Sequence, residues 1–259
     1  MKKFLLTITA IFMCIGAHAK TETINWYMDG NTYATTQCET GSDIILPQTP
    51  YKYGYTFNGW IANYIPIEYL ESTGTQYIDT GNPAVYGHRY ILTVKYLTTQ
   101  YEMRIAGSLA TENGIYIGID SSQLMFRVVR QPNIKVATVE NNKIYRYDLL
   151  LYPGNNTCKI TDLTTSNIHE SSTSENSGLN TNNIYLFDVN YNGVALKLTN
   201  NNLRIYDYKV LSSTGEVLVD MIPVLDQYGT PCMYDKVEKK FYYNAGTGQF
   251  IAGPVIEGE

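Results

Sequence analysis

The feature that most constrains this chain is a succession of short runs in which apolar and polar residues alternate, each closed by Gly, Asn, Pro or Ser. They are Tyr90 to Tyr96, Tyr101 to Ala106, Gly114 to Ile119, Gln123 to Arg130, Ile144 to Tyr152, Thr157 to Asp162, Ile184 to Val189, Leu196 to Leu198 and Leu203 to Leu211. A period of two marks half-buried β-strands, and no segment carries a helical period with caps. Turn residues at such intervals predict an all-β chain folded as a two-sheet sandwich. Within Ile115-Tyr116-Ile117-Gly118-Ile119 the isoleucines share one face and Tyr116 takes the other; Phe126 and Val128 oppose Met125 and Arg127 in the same way. Each sheet then has an apolar inner face and a mixed outer face on which a ligand can lie.

The N-terminus reads as an address. Lys2 and Lys3 precede the apolar run Phe4 to Gly16 and the small-x-small site Ala17-His18-Ala19, so residues 1–19 are expected to be an export signal cleaved before Lys20. The apolar core falls short of the ~20 residues that span a bilayer, and Met13 before Cys14 does not suit a lipidation site. No later run reaches spanning length, and the tail at 254–259 carries neither a hydrophobic stop nor a sorting motif. The expected location is therefore periplasmic, cell-surface or secreted, with no membrane span after cleavage. Loss of the two lysines takes the formal charge from −5 to −7. An acidic chain without Lys/Arg clusters does not suit nucleic acid, whose affinity comes mainly from phosphate neutralisation.

Three cysteines remain after cleavage: Cys38, Cys158 and Cys232. At most one internal bridge can form, and an oxidising destination makes Cys158 with Cys232 the expected pair, since both lie in the large β-region. Their spacing matches no zinc motif. The 24 tyrosines are expected mainly as half-buried strand residues with wet hydroxyls.

Residues 22–62 form a separate compact unit. Ile24, Trp26 and, across an Asp29-Gly30 turn, Tyr33 give a hairpin pattern; Ile44-Ile45-Leu46-Pro47 reads as a third short strand; Gly54-Tyr55-Thr56-Phe57-Asn58-Gly59-Trp60 closes the unit. With Gly41, Leu46-Pro47 and Pro50, these residues resemble the Listeria-Bacteroides repeat, also called the internalin B-repeat. The resemblance implies a small β-grasp-like module of surface and secreted bacterial proteins, used as a spacer or adhesion element.

Residues 64–253 are expected as the sandwich. Tyr69-Leu70-Glu71-Ser72-Thr73-Gly74-Thr75-Gln76-Tyr77-Ile78-Asp79-Thr80-Gly81 opens it, and Leu203 to Val210, Val217 to Asp220, Met233-Tyr234-Asp235 and Phe241 to Phe250 close it. This frame resembles the concanavalin A-like, laminin-G-like jelly-roll domains of secreted and phage-associated bacterial proteins. The resemblance implies that the first and last segments pair, with Gly246 and Gly248 in a tight turn beside the final strand. Thr164 to Asn183, rich in Ser, Thr and Asn, reads as a mobile surface loop.

Jelly rolls of this kind include glycoside hydrolases, which need two carboxylates about 5 to 10 Å apart. No E-x-D-x-x-E run exists here, and neither His88 nor His169 sits near a nucleophile motif. The expected role is therefore non-catalytic: binding or adhesion, with a carbohydrate held through the sandwich. Sugars bind aromatic platforms beside planar hydrogen-bonding groups, which singles out Tyr116, Arg127 and Tyr185, though cross-strand packing on a wet sheet is the plainer reading of each. No cofactor is required; calcium at a loop rim is an option implied by the resemblance, with Asp79 and Asp188 as ligands. A structural or protein-interaction role at the cell surface is the alternative, so the partner is a glycan or a surface protein. A third reading is a glycoside hydrolase whose acids come from separate strands.

Overall fold

The computed structural model describes residues 2–9, 21–29, 31–39, 42, 44–62, 64–98, 102–111, 113–128, 132–174, 178–196 and 202–256. Every regular element among them is a strand, as the alternation requires. The chain divides into two compact units, Met1–Ile65 with Asp226–Tyr228, and Pro66–Leu225 with Gly229–Glu259.

In the first unit Thr21–Met28 and Asn31–Glu39 form the expected hairpin, paired from Thr21 opposite Glu39 to Met28 opposite Asn31. Lys2–Thr9 runs antiparallel to the first of these strands and parallel to Tyr55–Ala62. The cleavage site at residues 17–20 lies outside the described residues. Ile24 and Trp26 fill the small core, and the Trp26 indole N–H donates to Thr36 Oγ1 at 2.8 Å. Ile44 to Pro47 is not a strand: this stretch is irregular, with Ile45 and Leu46 more than 60% exposed. Pro47 brings no backbone donor to a ladder, and the two side chains have no apolar face to cover.

The second unit is the two-sheet jelly-roll sandwich. Its smaller sheet runs in the order Ile134–Thr138, Gln123–Val128, Asn113–Asp120, Glu102–Ala110, Asn183–Leu186, Ile78–Pro83. The larger runs Ile168–Thr173, Asn156–Asp162, Ile144–Leu150, Arg89–Tyr96, Asn202–Leu211, Val217–Asp226, Pro231–Asp235, Lys240–Tyr242. All neighbours along both paths are antiparallel. Ile115, Ile117, Ile119, Leu124, Phe126 and Val128 from the smaller sheet meet Leu92, Val94, Tyr147 and Leu149 from the larger in one core. Full burial of such side chains stabilises by about 1.5–3 kcal/mol each. The Tyr96 and Tyr147 hydroxyls are 2.8 Å apart, and Tyr147 donates to Gly118 O at 3.1 Å, so two core phenols are satisfied internally. The ends close the frame as expected: Ile251–Ala252 pairs antiparallel with Leu70–Thr73, which pairs with Asn202–Leu211.

Two expectations need correction. Thr164 to Asn183 is not wholly loop, because Ile168–Thr173 is the edge strand of the larger sheet, paired with Asn156–Asp162. With one neighbour and mostly wet side chains, an edge strand has no apolar alternation to betray it. Cys158 and Cys232 do not bridge: both are buried free thiols. They lie in one sheet with four strands between their own, a separation of roughly 24 Å at ~4.8 Å per strand, far beyond disulfide reach.

Candidate functional site

The site depends on how the chain treats the outer face of the smaller sheet. Asn183–Leu186 runs antiparallel to Glu102–Ala110, with Tyr185 opposite Gly107. The chain then reverses at Phe187–Asp188 and returns parallel to the same strand, so that Val189 also meets Gly107. Phe187 adopts φ of 69° while buried against Phe250, ring centroids 4.7 Å apart. A buried aromatic in the left-handed region is held there by its surroundings. Gly107 is obligatory at this crossing, since a Cβ would come within 2.2 Å of Ile115 O.

Val189–Tyr191 and Val194–Ala195 then form a small hairpin, the flap, whose first strand joins the sheet beside Glu102–Ala110. On the outer face Leu109, Tyr116, Met125 and Val189 make a second, smaller core, with Leu196 packed against it. Tyr116 does point away from the isoleucines, yet it is only 1% exposed. Its hydroxyl donates to Asn133 Oδ1 at 2.5 Å, and the Arg104 and Arg127 guanidiniums sit 5.0 and 5.8 Å from its ring centre. Tyr185 is 6% exposed and stacks on Tyr77 at 4.7 Å. The expected open platform of Tyr116, Arg127 and Tyr185 is thus corrected: the first tyrosine packs with Leu109, Met125 and Val189, Tyr77 stacks on the other, and Arg127 packs on Tyr116.

The flap leaves a groove at its tip. About 450 Å³ lies between Thr73, Gly74 and Thr75 of the opening motif, Gly193, Val194 and Ala195 of the flap, and Ala245, Gly246 and Thr247 of the closing motif, with Tyr77 at its base. The size suits a small ligand. Its walls are fixed by backbone and amide bonds. Gln76 Oε1 accepts from Ser72 Oγ and the Thr73 N–H at 3.0 and 2.9 Å, which shapes the Ser72–Gln76 turn. Thr75 Oγ1 donates to Thr247 O at 2.9 Å, and the Thr247 N–H returns a bond to Thr75 O at 3.1 Å. Gly246 lies so close that a Cβ would meet Thr75 O at 2.0 Å. Gly248 takes the positive φ expected of a turn, whereas Gly246 serves close approach instead.

The groove is lined by hydroxyls, glycine backbone and small apolar groups, with no charged side chain among its described lining residues. The hydroxyls of Tyr77 and Thr247 make no hydrogen bond to any described residue and are available to a ligand. Burial first, then the charges of Asp79 and Asp188, push the Tyr77 phenol up, so it stays protonated and able to donate. The two acids are held by their own turns: Asp79 Oδ1 accepts from the Gly81 N–H at 2.9 Å and Asp188 Oδ1 from the Val189 N–H at 2.7 Å. Among the described residues no three His, Cys, Asp or Glu side chains are grouped to hold a metal.

Of the residues singled out in the sequence, Gly246 lines the groove, Tyr185 stacks on Tyr77 behind it, and Asp79 is the register partner of Tyr185. Its lining threonines and glycines belong to the two framing motifs, and the missing signal was the flap that joins them.

No curated protein matches the chain in sequence. Among solved structures, the LG1-3 region of the laminin α2 chain is similar at 11% identity and TM-score 0.47, over 91% of this chain and 51% of that one, so the chain spans about half of the laminin region. A heptameric SAP-like pentraxin from Limulus polyphemus is similar at 12% identity and TM-score 0.39, over 60% of this chain and 76% of that one. Scytalido-glutamic peptidase is similar at 12% identity and TM-score 0.37, over 75% of this chain and 100% of that one. In sequence, residues 23–86 match the Listeria-Bacteroides repeat domain.

Proposed function

We propose that the protein is an exported binding or adhesion protein of the bacterial surface whose sandwich holds a carbohydrate in the groove at the flap tip. The observation that carries this reading is the lining itself: threonine and tyrosine hydroxyls, exposed glycine backbone and an aromatic ring, with no Asp, Glu, His or Cys among the described lining residues. Such a surface exchanges hydrogen bonds with a polyol and has no acid or base with which to cleave it.

A screen of the mature full-length chain against printed glycans, with and without calcium, tests the proposal. Selective binding is expected, and Val194→Trp, which fills the groove from a position 64% exposed, should abolish it without unfolding the chain. Binding that survives Val194→Trp places the sugar elsewhere. An empty array favours protein docking instead, a second reading supported by Tyr51 and Tyr53, which are 83% and 89% exposed on the repeat.

A further inference from the structure

We infer that the groove recognises its ligand through hydrogen bonds that the ligand donates, so that it takes glycans with free hydroxyls and refuses the same glycans capped as esters, and that Gln76 and Asn244 set this preference. The inference rests on the groove being the glycan site.

Outside the flap strand Val194–Ala195, every described lining residue spends its backbone N–H within the protein. Gln76 Oε1 accepts from the Thr73 and Thr75 N–H groups at 2.9 and 3.4 Å, and Asn244 Oδ1 from those of Tyr77 and Gly246 at 3.2 and 2.8 Å. Gly74 donates to Ser72 Oγ at 3.0 Å, Gly193 to Asn190 Oδ1 at 2.7 Å, Ala245 to Tyr77 O at 2.9 Å and Thr247 to Thr75 O at 3.1 Å. The carbonyls stand the other way. Those of Gly74, Gly193, Ala245 and Gly246 accept no hydrogen bond from any described residue, and each has two lone pairs to offer. The Thr75 hydroxyl gives its proton to Thr247 O, so towards a ligand it only accepts. The Tyr77 and Thr247 hydroxyls can donate, but they can equally accept. A ligand O–H therefore finds several acceptors, whereas an ester oxygen, which only accepts, finds few donors and leaves the carbonyls without partners. The two amides hold this polarity, one in each framing loop. Gln76 is buried with its Nε2 donating to Thr73 Oγ1 at 3.2 Å, and Asn244 Nδ2 donates to Gly248 O at 2.9 Å, which keeps each amide oxygen turned to the N–H groups.

The test sets printed neutral hexose oligomers against three analogues of the same oligomers: O-acetylated, monodeoxy, and monodeoxyfluoro, in which fluorine keeps a weak acceptor where the hydroxyl proton is gone. The mature full-length chain should bind the acetylated oligomer at least roughly tenfold more weakly than the free one. At each hydroxyl whose removal weakens binding, the fluoro analogue should lose as much as the deoxy one, roughly three- to tenfold. Asn244→Ala frees the Tyr77 and Gly246 N–H groups, so the acetylated oligomer should gain on the free one; Asn244→Asp supplies an acceptor to both again and should restore the ranking. A loop that had merely loosened would weaken both probes together. Equal binding of acetylated and free oligomers, fluoro analogues that bind like the parent, or a ratio unchanged in a folded Asn244→Ala chain overturns the inference. If Asn244→Ala does not fold, the fluoro series on the wild-type chain decides alone. Where Val194→Trp abolishes binding and the fluoro analogues match the parent, only this inference fails. Where Val194→Trp changes nothing, or no oligomer binds, the groove reading fails and the inference with it.

Discussion

The two outer faces of the sandwich are made of similar alternating strands and end in opposite conditions. On that of the smaller sheet, Val189 and Leu196 join Leu109, Tyr116 and Met125 in a second apolar core. That of the larger sheet stays wet and is laced with charge. Asp148 pairs with Arg89 and lies 3.8 Å from Lys159; Glu71 pairs with Arg204 at 2.7 Å; Asp220 meets Lys236 at 2.9 Å and Lys209 at 3.4 Å. Alternation says which side chains share a face; it does not say whether the chain returns to cover that face. The same hairpin also makes the concavity, at its tip, where Gly193 to Ala195 line the groove with the two framing loops.

The largest effect that separates the faces is expected at Tyr116. Truncation to Ala empties the space beside Leu109, Met125 and Val189 and should cost about 3–5 kcal/mol in urea unfolding, the range for a buried aromatic. Tyr116→Phe gives up only the bond to Asn133 and should cost about 1 kcal/mol. A change within about 0.5 kcal/mol for Tyr116→Ala is what an open platform residue would give, and it would end the claim that this face is a core.

The larger sheet also holds buried acids, Asp162 among them. Asp162 shares the inward parity of Cys158 and Ile160 and is buried. Its carboxylate accepts from Lys143 Nζ at 3.0 Å, Thr165 Oγ1 at 2.8 Å and the Thr164 N–H at 2.8 Å. Burial alone would raise its pKa, but the bonds from Lys143, Thr165 and Thr164 outweigh it and hold the group at about 2. An unfolded aspartate titrates near 3.9, so the folded value is depressed. The stability it contributes is full above about pH 4 and is lost as pH falls through about 2. Asp162→Ala should cost about 2 kcal/mol at neutral pH and should flatten the fall in unfolding free energy between those two values. A wild-type slope retained in the variant would assign the acid sensitivity to other carboxylates.

These cases show what the sequence disclosed. The inner core was legible because Ile115, Ile117 and Ile119 alternate against Tyr116 in a strand with neighbours on both sides. The pairing of Leu70–Thr73 with Ile251–Ala252 was legible from two motifs far apart in the chain. The burial of Tyr116 and Tyr185 was not, since it depends on a reversal at Phe187 that places a bulky residue where glycine is expected. The strand Ile168–Thr173 was hidden because an edge needs no apolar face. The groove was half legible: its threonines and glycines stood in the framing motifs, but their convergence follows from the topology and the flap.

The smallest expected effect is on the wet face and completes the contrast. Lys236 is 45% exposed and shares Asp220 with Lys209, so its removal leaves that carboxylate a second cation. An exposed pair contributes between about 0 and 1 kcal/mol, and Lys236→Ala should fall in that range. The cost should shrink further in 1 M salt, where the screening length drops to about 3 Å, while the cost of Tyr116→Ala should persist because burying a ring does not depend on ionic strength. A salt-insensitive loss above about 2 kcal/mol at Lys236 would mean that the Asp220 site is shielded from water, and the two faces would then differ in the chemistry of their cover rather than in having one.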